Sequence, residues 1–169
     1  GLSHLHKIAI DKVIYMQTNT IFLREDMRPI LTGHNAYHKN HVERDAIADP
    51  NMRYRMRYNP PEDMLATEVR ESFDDETRNK AKTIWSYGII LLEICMGKIY
   101  DPWRTDQGKS WVFAEFLSFF NKNIPYYIPS GCSPAMRKVI EGCLNRDINE
   151  RLRFFAEEVE SILEEETFH

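Results

Sequence analysis

A mainly helical domain with one small β-hairpin is the fold class this sequence predicts, and three observations carry the prediction. Beyond Pro102, apolar side chains recur at the three-and-four spacing of amphipathic helices. The stretch from Thr83 to Gly97 is apolar on nearly all sides, as a helix in the middle of a domain must be. Near the start, two short apolar runs flank a polar segment that contains a proline.

The elements follow in chain order. Ile21-Phe22-Leu23 and Ile30-Leu31-Thr32 are the hairpin strands, with Arg24 to Pro29 as the turn between them. From Asn35 to Asn59 neither a helical nor an alternating period persists, which predicts a long surface loop. Thr67 to Lys82 carries Glu68, Glu71, Asp74, Asp75 and Glu76, ends in basic residues, and reads as a solvated, irregular excursion. The central helix then runs from Thr83 and stops at Gly97. Ser110 caps a helix with Val112, Phe113, Phe116, Leu117 and Phe120 on one face. Ser133-Pro134 supplies a cap and a first-turn proline for a helix striped by Met136, Val139, Ile140, Cys143 and Leu144. A last helix turns Phe155, Val159, Ile162 and Leu163 inward and an acidic face, Glu157 to Glu166, outward.

Composition narrows the function classes. One chain of 169 residues is the size of a single domain, and 43% hydrophobic with 28% charged residues suits a globular chain. A net charge of -4 argues against nucleic acid as a partner, because phosphate binding needs surplus Lys and Arg. The run from Ile84 to Met96 is too short and too interrupted to cross a membrane. Cys95, Cys132 and Cys143 form neither a disulfide framework nor a zinc-ligand spacing, and nothing at the start reads as a signal peptide. A reducing, cytoplasmic setting is expected. His34, His38 and His41 with Asp45 do not complete a ligand set, so no metal and no cofactor is expected.

Four motifs in order point to one family. Gly1-Leu2-Ser3-His4-Leu5-His6, Tyr58-Asn59-Pro60-Pro61-Glu62, Trp85-Ser86-Tyr87-Gly88-Ile89-Ile90-Leu91-Leu92-Glu93-Ile94 with Gly97-Lys98, and Cys143-Leu144-Asn145-Arg146-Asp147-Ile148-Asn149-Glu150-Arg151 stand at compatible spacings. Together they resemble the C-terminal lobe of the protein kinases, in wording closest to the tyrosine-kinase-like group. The resemblance covers residues 1–166, leaving 167–169 as a tail, and it implies that the smaller lobe lies outside this chain. It also implies that Glu62, at the end of the activation segment, forms a structural ion pair with Arg151.

The residues that would carry the family's chemistry are of the wrong types. Phosphoryl transfer there uses an aspartate base, a metal-binding asparagine and a metal-binding aspartate. Setting Thr20-Ile21-Phe22-Leu23 against the family's N-I-x-L puts Tyr15 at the base position and Thr20 at the asparagine position, and a shift by one residue restores Asn19 there but puts Ile14 at the base. Gly33 falls where the second aspartate belongs, and Thr83 where an aspartate supports the catalytic loop. Asp11 is the nearest carboxylate but lies upstream of the base position. The resemblance therefore implies a pseudokinase, a non-enzyme acting as a protein-interaction or allosteric scaffold in signalling. The alternatives are a fragment of a divergent protein kinase that retains nucleotide binding or phosphotransfer in the full-length protein, and an oligomerisation module.

A protein partner is the expected ligand: a smaller lobe, or another chain covering the central helix. Arg53, Arg55 and Arg57 alternate with Tyr54, Met56 and Tyr58, so an extended backbone would put three guanidiniums on one face for a phosphate or an acidic peptide. Tyr37, Tyr54 and Tyr58 are conceivable phosphorylation sites. Trp111, Phe119, Tyr126 and Tyr127 lie off the apolar stripe and are of the types that anchor interfaces.

Overall fold

The computed structural model describes residues 21–26, 28–31, 57–64, 73–98, 100, 127–159 and 161–162. Six elements lie within them: β1 (Ile21–Leu23), β2 (Pro29–Leu31), α1 (Pro61–Met64), α2 (Asp75–Met96), α3 (Pro134–Cys143) and α4 (Ile148–Glu157). The architecture is mainly helical, with α2 packed against both α3 and α4 and those two packed on each other.

β1 and β2 pair antiparallel in the register Ile21 with Leu31, Phe22 with Ile30 and Leu23 with Pro29. The second strand starts one residue earlier than the apolar run suggests. Pro29 is tolerated there because it opens the strand, where no ladder donor is required of it. The turn closes through Arg24 N–H donating to the Arg28 carbonyl at 2.9 Å, and Asp26 Oδ1 accepts from Arg28 N–H at 3.2 Å. Ile21 alone of the hairpin's described side chains packs on the helical core, while Phe22 remains 56% exposed.

α2 corrects the expectation of an irregular stretch up to Lys82, because the helix begins at Asp75. Asp74 caps it, accepting from Thr77 N–H and Thr77 Oγ1, each at 2.8 Å. The first turns are polar on every side yet helical. Lys80 pairs with Glu76 one turn back at 2.5 Å, and Arg78 pairs with Asp75, so local charge pairs and the cap supply what apolar periodicity does not. Ala81, fully buried, is where the helix enters the core. At the other end Gly97 adopts φ 63°, and its N–H donates to the Ile94 carbonyl at 3.2 Å.

The core joins Ile84, Trp85, Ile89, Ile90 and Leu92 of α2 to Val139, Ile140 and Cys143 of α3, with Leu144, Val159 and Ile162. Gly88 sets how close α2 and α3 come, since a Cβ there would lie 2.8 Å from Leu144 Cδ2 and 2.9 Å from Cys143 Cβ. Ser133 caps α3, accepting from Met136 N–H at 3.1 Å, with Pro134 in the first turn. Asp147 caps α4, accepting from Asn149 N–H at 2.8 Å and Glu150 N–H at 3.2 Å. Beyond α4, Val159 and Ile162 point inward, whereas Glu158 is half-buried and pairs with Lys138 at 2.9 Å. The helix expected from Ser110, most of the loop from Asn35, and Leu163 lie outside the described residues.

Candidate functional site: a buried latch between α1, α2 and α4

Pro60-Pro61 forces an extended approach and then starts α1 at its first turn, with Asp63 N–H donating to the Pro60 carbonyl at 3.1 Å. That turn aims Glu62 at α4. Arg151, fully buried in the first turn of α4, donates through Nη2 to Glu62 Oε1. Arg151 Nη1 donates to the Asn145 carbonyl at 2.8 Å, tying down the turn between α3 and α4. Its guanidinium lies 5.3 Å from the Trp85 ring centroid, a cation–π arrangement that covers the charge from the α2 side.

The pair is joined through one oxygen only. Glu62 Oε2 and Arg151 Nε are buried with no hydrogen-bond partner among the described residues. Burial accordingly dominates both ionisations. It pushes the Glu62 carboxyl above the ordinary carboxylate range against the opposing pull of Arg151, and pushes the Arg151 guanidinium down against the support of Glu62.

Three further bonds fasten the same segment to α2. Tyr58 Oη donates to Glu93 Oε2 at 2.9 Å, Ser86 Oγ donates to the Tyr58 carbonyl at 3.0 Å, and Lys82 pairs with Asp63. Glu93 Oε1 accepts from Tyr100 N–H at 3.0 Å, so this buried carboxylate holds both the segment before α1 and the chain leaving α2. Sequence reading missed Glu93 as a clamp. Its one available signal was a charged residue on a helix otherwise apolar on nearly all sides.

The other candidate residues fare differently. Arg57 and Tyr58 occupy a turn, and Arg57 is half-buried, so the extended face of three arginines does not continue to Arg57. Tyr58 is buried with its hydroxyl on Glu93, which removes it as an accessible phosphorylation site in the folded chain. Tyr127 is 74% exposed. Thr83 is buried and its hydroxyl donates to the Asn79 carbonyl, one turn back, at 2.8 Å. Tyr15, Thr20, Gly33, Tyr37, Arg53, Tyr54, Arg55, Trp111, Phe119 and Tyr126 lie outside the described residues. No helix among those described is long and apolar enough to cross a membrane.

Residues 39–162 match the family model described as "Protein tyrosine and serine/threonine kinase". The match takes in the latch from α1 to α4. Searches of curated proteins and of solved structures give no match.

Proposed function

We propose a function from one premise, that the chain belongs to the protein tyrosine and serine/threonine kinase family. On that premise it is a pseudokinase C-terminal lobe of the tyrosine-kinase-like group, a non-catalytic scaffold that presents a fixed helical surface to a protein partner. The observation that carries this reading is the closed Glu62–Arg151 latch on an intact core. It stands beside a sequence in which the motif resemblance sets Tyr15, Thr20 and Gly33, all upstream of the matched residues 39–162, at the positions of catalysis. Thr20 and Gly33 offer no carboxylate, so this donor set does not fit Mg²⁺ beside a triphosphate. The family's framework is kept and its chemistry is not.

Transfer of labelled phosphate from Mg·ATP by this segment together with the smaller lobe, as a full-length protein, to itself or to a mixed peptide substrate tests the reading. No transfer above a heat-denatured control is expected. Transfer that disappears in Asp11→Asn or Thr20→Ala would overturn the reading in favour of a divergent kinase.

A further inference from the structure

Cys95 and Cys132 lie 37 positions apart in sequence, and their Sγ atoms are 3.0 Å apart. Neither is in a disulfide. Cys95 sits in the last turn of α2, which Gly97 closes, so its backbone is held by the helix. Cys132 sits in the turn Pro129–Cys132, closed by Cys132 N–H donating to the Pro129 carbonyl at 3.1 Å. Arg137 of α3 donates through Nη2 to that same Pro129 carbonyl at 2.9 Å, and the next residue, Ser133, is the α3 cap. Two rigid supports therefore hold the thiols about 1 Å beyond covalent S–S distance, which side-chain rotation can close without moving either helix. Both residues are only partly buried, so a small oxidant has access.

We propose that Cys95 and Cys132 form a reversible oxidation site, a vicinal dithiol that peroxide converts to an intramolecular disulfide fastening the end of α2 to the turn before α3. One thiol attacks the peroxide O–O bond, giving a sulfenic acid and releasing water. The second thiol's sulfur then displaces the hydroxyl from that sulfenic sulfur, the S–S bond forms, and a second water leaves. Two electrons pass from the dithiol to the peroxide, and an external dithiol reverses the change by exchange. The site is independent of the pseudokinase reading. Cys143 is the internal control: it is fully buried, and burial pushes its thiol up to about 12, so it stays protonated and out of reach.

The test is stoichiometric hydrogen peroxide on the reduced, folded chain, then maleimide trapping in denaturant and unreduced peptide mapping. The expected result is loss of two hydrogens, one alkylated cysteine out of the 3 present, and a peptide joining Cys95 to Cys132. The thermal midpoint should rise by roughly 10 °C and return with dithiothreitol, because the link closes a long loop in the unfolded chain. Cys132→Ser should lose both the mass change and the midpoint shift. Three alkylated cysteines, a link through Cys143, or a covalent dimer would overturn the proposal, and the mapping on the native chain decides even where the variant folds poorly.

Discussion

At Arg151 the chain buries a full guanidinium, and only one oxygen of Glu62 answers it. Such a pair is costly to break and cheap to replace. Removing one partner strands a buried charge, whereas two apolar residues of similar volume would strand none and deprive only the Asn145 carbonyl of its Arg151 donor. Arg151→Met should therefore lower unfolding free energy by about 3–5 kcal/mol in urea denaturation, and Glu62→Leu with Arg151→Met should cost less than Arg151→Met alone. Acidity gives the same residues a signature. Because burial raises Glu62 above its ordinary 4.5, the folded chain binds that proton more tightly than the unfolded chain does. The stability tied to it is complete below 4.5 and is lost as pH rises through the folded value. Arg151 opposes that rise, so in Arg151→Met the folded value climbs further and the penalty above it grows. The gap between the native chain and Arg151→Met should be wider at pH 7 than at pH 4. An equal gap at both would mean that Glu62 does not feel the guanidinium.

Helix α2 earns its central place through its small and capping residues as much as its apolar ones. Gly88 lets α3 approach until Leu144 and Cys143 fill the space a side chain would need. Gly88→Ala gains up to about 1 kcal/mol of helix propensity but forces α2 and α3 apart, which costs about 1–3 kcal/mol. A net loss in denaturation midpoint is expected, and a gain would show that the two helices can slide without penalty. Elements of this kind were legible in the sequence where one residue carries the signal. Ser133-Pro134 and Gly97 mark helix ends by their own chemistry, and the hairpin strands were placed within one residue. The start of α2 was not, because Asp75 to Lys82 has no apolar face. Its helicity rests on the Asp74 cap and on the pairs of Asp75 with Arg78 and Glu76 with Lys80, which polar composition alone does not distinguish from a solvated loop. Tyr58 with Glu93, Lys82 with Asp63 and Cys95 with Cys132 were beyond sequence reading for another reason. Each joins residues 19 or more positions apart, brought together only by packing.

Across the whole molecule, the segment before and within α1 is fastened to two separate helices, and this gives the latch a measurable meaning. Tyr58, Ser86 and Lys82 with Asp63 hold it on α2, while Glu62 with Arg151 ties it to α4. The hairpin is held differently, with Ile21 docked and both Phe22 and Leu23 more than half exposed. Native-state hydrogen exchange should rank these bodies by what holds them. Amides from Ile84 to Leu92 should open only with global unfolding, and those of β1 and β2 should exchange far sooner. The variants then separate the two fastenings. Tyr58→Phe removes a tie to α2 alone, so residues 57–64 should lose protection relative to the α2 core while 148–151 keep theirs. Arg151→Met should instead expose both 57–64 and 148–151 relative to α2, since the pair joins those two regions directly and Arg151 Nη1 also holds the Asn145 carbonyl. If Arg151→Met lowered protection uniformly, with 57–64 and 148–151 tracking the core, the pair would be one buried interaction among many. Selective loss at both sites would identify it as the fastening that makes residues 57–64 and α4 one surface.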